Sequence, residues 1–301
     1  MLFLLTRILF TVTFSHLLRL SQARTPRPLS AAGINYLLAA IACTLWTWIA
    51  RVAWHPQTVV LGAVAGVLYV VSMVLMLPAM RAGGVSVVGA IMQLALMIPV
   101  AFAIWRFGEY PNSHQLVGIV LTLISLPLLS FARATGPVET LPRSPAEKPS
   151  GAARWFPLLI AVLFLSGGAS QTVMKEFAAV RPDAELPLYS AVLFVTATFC
   201  TYLWMILARD TGRVPDTVPE GRPIGEWPLG ILLGAMNVLQ LVFLLLALHE
   251  LPAILVFPVS SSLGIICNTV VSLVLWGERP SPAGWLGIVL AIAAVVLLNW
   301  H

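Results

Sequence analysis

The chain has 301 residues, 59% of them hydrophobic and 10% charged, with a mean hydropathy of +0.94 and a net charge of +5. Soluble domains are about 25% charged, so this composition cannot cover a water-facing particle, and it excludes a soluble enzyme, a nucleic-acid binder and a disordered chain. The excess of Lys and Arg points to lipid headgroups and loop orientation, not to nucleic acid.

The first apolar stretch, residues 1–18, is the poorest of the set because it carries Arg7 and His16, with Arg19 just beyond. Residues 1–23, ending in Ser21-Gln22-Ala23, can also be read as a signal peptide, although the duplication described below favours a span. Apolar runs follow at 34–54, 58–79, 86–106 and 114–132, and then a polar segment over 133–153 carries Pro137, Pro142, Pro145 and Pro149. Such a segment reads as an exposed linker. Further runs lie at 155–175, 187–208, 227–248, 254–275 and 283–300, with a second polar connection over 209–226. In lipid each backbone group must be satisfied within closed structure, and the runs lack the period-two alternation of a barrel, so they read as helices. The expected fold class is all-α integral membrane with ten transmembrane helices. Cys43, Cys200 and Cys267 sit in apolar runs as small hydrophobes, and neither a metal nor a cofactor is expected.

The two halves repeat one another. Leu61-Gly62 and Gly66 recur as Leu229-Gly230 and Gly234, an offset of 168. Gly108-Glu109-x-Pro111 recurs as Gly277-Glu278-x-Pro280, and Gly118-Ile119-Val120-Leu121 as Gly287-Ile288-Val289-Leu290, both at 169. Cys43-Thr44 and Trp46 align more loosely with Cys200-Thr201 and Trp204. The chain therefore divides into a first five-helix repeat over 1–132, a linker over 133–153 and a second repeat over 154–301. Because five is odd, the second copy must enter the membrane from the opposite side, which makes the two inverted repeats.

Five plus five helices, each half closing on Gly-Glu-x-Pro before a glycine-containing last helix, resembles the drug/metabolite transporter superfamily, in particular its EamA-like branch. The resemblance implies a multi-pass carrier of small organic solutes in the cell membrane, with both termini in the cytoplasm. That orientation puts Arg51, Arg106, Lys175 and Arg181 inside and the other twelve loop-side Lys and Arg outside, against the positive-inside expectation. The small multidrug relatives in the superfamily use a membrane-embedded Glu in their first helix; this chain has none there, which disfavours proton-coupled export of cations.

Glu109 and Glu278 stand just before Pro111 and Pro280, a position that suits carboxylates at a helix N-terminus better than proton carriers. Gly62 with Gly66, and Gly230 with Gly234, read as faces for close helix approach. Polar residues well inside spans are the candidates for a solute path, since lipid penalises them unless they face the bundle. Tyr69 and Ser72 align with Asn237 and Gln240, each pair at i, i+3 on one face, and Gln93 aligns with Ser262. Ser261, Asn268, Gln171, Tyr36 and the aromatic Trp204 complete the set, and Pro258 is expected to interrupt its helix. Most other tryptophans lie at span ends as interfacial anchors, and Lys175 is expected to snorkel to the headgroups.

The function expected is secondary transport of a neutral, zwitterionic or weakly anionic metabolite by alternating access. A membrane enzyme and a non-transporting paralogue acting as a sensor or assembly partner are the alternatives. The partners expected are a small-molecule solute and the bilayer, with a homodimer left open.

Overall fold

In the computed structural model the described residues are 1–24, 28–83, 88, 91–92, 94–132, 152–207, 224–276 and 282–298. Gln93, residues 133–151 of the expected linker, and the second motif of Gly277, Glu278 and Pro280 lie outside them. All regular structure among the described residues is helical: α1 (Leu2–Arg24), α2 (Pro28–Ile49), α3 (Pro56–Gly83), α4 (Met97–Phe107), α5 (Ser113–Ala132), α6 (Ala152–Val180), α7 (Leu186–Leu207), α8 (Glu226–Glu250), α9 (Ala253–Trp276) and α10 (Pro282–Leu298). Six of these helices are long and apolar enough to cross a membrane; the other four expected spans fall on the shorter apolar helices α1, α4, α5 and α10.

Local chemistry sets the ends. Proline opens α2, α3 and α10, where its missing N–H costs nothing. A reciprocal capping box opens α5, with Asn112 N bonded to Gln115 Oε1 at 3.0 Å and Gln115 N to Asn112 Oδ1 at 2.8 Å. Gly108 closes α4 at φ 66°, a left-handed conformation that glycine adopts without strain.

The expected span over 86–106 is interrupted at Ala95 and Leu96, which form a turn. Pro99 has no N–H to offer the Ala95 carbonyl, and Ile98 N donates to that oxygen instead at 3.1 Å. Pro258, by contrast, does not interrupt α9: it lies within the first two turns, where only an early hydrogen bond is lost.

The helices group into two compact units, Met1–Val70 with Val173–Glu250, and Val71–Thr172 with Leu251–His301. Each unit takes helices from both halves of the sequence. In the first, α1 packs on α8, and α2 packs on both α7 and α8. Its core holds Phe177, Tyr189, Phe194, Leu233 and Leu245, all buried. In α1 the buried positions Leu4, Ile8 and Val12 recur every four residues, one apolar stripe on a helix.

Two glycine pairs let helices approach closely in this unit. A Cβ on Gly66 of α3 would lie 2.5 Å from the Leu193 carbonyl of α7, and one on Gly234 of α8 would lie 2.9 Å from the Asn35 carbonyl of α2. In the second unit α10 packs on α5 and α9, with Phe257, Leu163 and Leu298 buried. Large apolar side chains such as Trp48, Trp54, Trp105 and Leu207 remain exposed near helix ends, as an interfacial and lipid-facing surface requires.

Candidate functional site

Polar side chains inside a lipid-spanning helix are costly unless each finds a partner, so the ones that meet mark where the bundle is built to be polar. In the first unit five residues from three helices do so. The Tyr69 hydroxyl on α3 donates to Asn237 Oδ1 on α8 at 3.1 Å. Gln240 Nε2, one turn along α8, donates to the same oxygen at 3.0 Å. Asn237 Nδ2 in turn donates to Asn35 Oδ1 on α2 at 3.2 Å. The Tyr36 ring stands edge-on to that of Tyr69, with centroids 5.8 Å apart.

Asn237 is 1% exposed, and both acceptor sites of its oxygen are used, so the orientation of its amide is determined by the network. Tyr69 lies about 20 Å along α3 from Pro56, and Asn237 about 17 Å along α8 from Glu226, near the middle of a hydrocarbon layer roughly 30 Å thick.

The first helix brings a charge toward this group. Phe3 and Phe10 both lie on the Phe243 ring of α8, with centroids 6.1 and 5.6 Å away. Arg7 shares their face of α1 and lies in the neighbourhood of Tyr69.

The remaining candidates are placed elsewhere. Ser72, expected to continue the Tyr69 stripe, belongs to the second unit and bonds to Ser166 Oγ at 2.9 Å. In that unit Gln171 Oε1 and Ser260 Oγ are buried with no hydrogen-bond partner among the described residues. Ser261 bonds back to the Phe257 carbonyl at 2.9 Å, whereas the Ser262 hydroxyl lies 3.3 Å from that of Thr122. Asn268 is half-buried about two turns further along α9. Trp204 is 45% exposed on α7 and takes no part in the polar network. A cavity of about 20 Å³, room for one water, lies beside the break before α4, between Leu96, Met97, Val100, Ile119, Thr122 and Pro258.

Three charged positions differ from expectation or add to it. Glu109 does serve a helix N-terminus, but not that of the next helix: its Oε2 accepts from Ile254 N in the first turn of α9 at 3.3 Å, because Asn112 and Gln115 already cap α5. Lys175, expected to snorkel outward, is instead covered by protein. It is 5% exposed, since α6 runs on to Val180 and leaves Lys175 more than a turn inside the helix. Around the connection from α6 to α7, Arg181 Nε bonds to Glu185 Oε2 at 3.0 Å, Thr58 also donates to Glu185, and His249 Nδ1 lies 2.9 Å from Asp183 Oδ1. These pairs tie the start of α3 and the end of α8 to one loop.

Asn35 and Arg7 were absent from the sequence-derived candidates. Asn35 carried a signal, a polar residue in an apolar run beside Tyr36, but nothing distinguished it from its neighbour. Arg7 registered only as a penalty against the first span.

Comparison with known proteins bears on this arrangement. The EamA-like transporter family matches residues 1–131. The chain is 37% identical over 99 residues to a multidrug transporter of Pseudomonas aeruginosa, covering 33% of this chain and 90% of that protein. It is 24% identical over 230 residues to an uncharacterized protein of Haemophilus influenzae, covering 75% and 70% of the two. A protein of known crystal structure, 16% identical, superposes with a TM-score of 0.71 over 99% of this chain and 97% of its own. At that identity the likeness is one of fold.

Proposed function

The chain belongs to the EamA-like transporter family of the drug/metabolite transporter superfamily, and from that premise we propose that it is a secondary carrier of a small organic metabolite. It is a multi-pass integral membrane protein, and the cell membrane is where such a carrier acts. The observation that carries the reading is the network of Asn35, Tyr69, Asn237 and Gln240 midway along three apolar helices, with Asn35 and Asn237 buried and Tyr69 and Gln240 half-buried. It supplies amide and phenol groups of both hydrogen-bonding senses, the equipment for a neutral, zwitterionic or weakly anionic solute.

Alternating access would expose this network first to one side of the membrane and then to the other, the inverted copies exchanging conformations. Two observations support that reading. The glycines of α3 lie on α7 as those of α8 lie on α2, and these are corresponding helices of the two copies. The break before α4 supplies a point where a spanning segment can bend.

Reconstituted liposomes loaded with a metabolite mixture test the proposal. The expected result is counterflow of at least one solute, reduced by Asn237→Ala with no loss of membrane insertion. Binding without movement of any solute would show that the chain is not a carrier.

A further inference from the structure

We infer that Arg7 recognises the carboxylate of the transported solute, so that the substrate class is a carboxylic acid or zwitterion held between α1 and the amide network of α8. The inference rests on the carrier reading and narrows it. Its basis is the placement of a guanidinium on the packed face of α1. Phe3 and Phe10, one turn to either side, both lie on Phe243, so that face is turned to α8 rather than to lipid. Gln240 stands one turn before Phe243 on α8 and is bonded to Asn237, and Asn237 accepts from Tyr69, which lies in the neighbourhood of Arg7. A cation and a set of amide and phenol groups thus converge within one compact unit.

The charge has no counterpart of its own there. Among the described residues no carboxylate pairs with Arg7: Asp183 is held by His249, Glu185 by Arg181, Glu226 and Glu250 stand at the two ends of α8, and Glu176 on α6, whose Oε2 is buried without a hydrogen-bond partner, forms no ion pair with it. An arginine kept in an apolar layer without an acidic partner is costly, and such residues are kept where they meet an anion. The planar fork of the guanidinium fits a carboxylate with two parallel hydrogen bonds. The neighbouring amides and phenols can then read the rest of the solute, including an ammonium group if it carries one.

The test uses the full chain, purified in lipid-free detergent, and solutes that share one skeleton: hexanoate, 6-aminohexanoate, hexanamide and hexylamine, with the corresponding butyl and octyl sets. Calorimetric titration and thermal shift are expected to rank the carboxylate-bearing members about tenfold or more above the matching amide and amine. Arg7→Gln should bring the carboxylates down to the level of the amides while leaving the thermal midpoint without solute near that of the parent. Arg7→Lys should retain part of the preference and serves as the check on folding.

The inference is overturned if the parent binds no carboxylate, if amides or amines bind as tightly, or if the preference survives in Arg7→Gln. It is also overturned if added phosphatidylglycerol displaces hexanoate in the parent but not in Arg7→Gln, which would make a lipid phosphate the partner of Arg7. Flux separates the two readings. Arg7-dependent binding without transport would sink the carrier and leave the anion site standing. Transport of an amide or amine that ignores Arg7→Gln would do the reverse.

Discussion

Asn237 has the most constrained side chain in the candidate site, since one amide oxygen serves both Tyr69 and Gln240 while its nitrogen serves Asn35. Asn237→Ala leaves the buried Asn35 and the half-buried Tyr69 and Gln240 without their partner, the buried loss costing about 1–3 kcal/mol and the other two less. The expected outcome is about a tenfold fall in solute affinity and a thermal midpoint lowered by several degrees. Gln240→Ala removes a single bond and should weaken binding less. Binding isotherms for the two variants check the ranking, and equal affinities in both and in the parent would count against the site.

Glu109→Gln should behave differently. It weakens a charge-assisted contact at the start of α9, worth about 0.3–1 kcal/mol, and so should lower the thermal midpoint slightly while leaving solute affinity unchanged. Asn237 and Gln240 were legible as residues because two polar side chains at i, i+3 in an apolar run share a face. Asn35 was not, because a helix apolar on all sides gives its neighbours no phase to distinguish them. Arg7 was visible as a residue but not as a direction: composition counts a charge and cannot say that Phe3 and Phe10 turn it toward α8.

At the scale of the element, the glycines carry the argument. A Cβ on Gly66 would come 2.5 Å from a backbone carbonyl, whereas one on Gly264 of α9 meets nothing within 4 Å. Gly66→Ala should therefore push α3 from α7 and lower the yield of folded protein, and Gly264→Ala should leave it unchanged. Fluorescence-detected size exclusion of the two variants measures the difference directly. The sequence carried this much in the duplicated four-residue spacing of glycines, but not their partners, because the spacing marks a close face without saying which helix fills it.

The break before α4 was hidden for a related reason. Within 86–106 the only polar interruption away from the ends is Gln93, and a single proline near the middle of a run does not say whether the helix bends, as before α4, or continues, as at Pro258. Pro99→Ala restores a donor for the Ala95 carbonyl and should straighten the segment, raising thermal stability while slowing flux. Unchanged flux in that variant would remove the break from the transport cycle.

At the scale of the molecule, composition and duplication made the membrane class and the repeated pattern legible, and neither contained the regrouping into two units that each mix both halves. Hydropathy reports which segments lie in lipid; it carries no record of which helix touches which, and that pairing decides where Tyr69 and Asn237 meet. Their meeting has a consequence for stoichiometry. The two residues occupy corresponding positions of the copies, 168 apart, and they bond to each other. A pair of corresponding positions in contact occurs once in a chain, not once per copy, and here the two members are chemically different. On the proposed reading the duplication therefore makes one site and not two, with a phenol from one copy and an amide from the other, and the expected stoichiometry is one solute per chain, held with the same end toward the same copy.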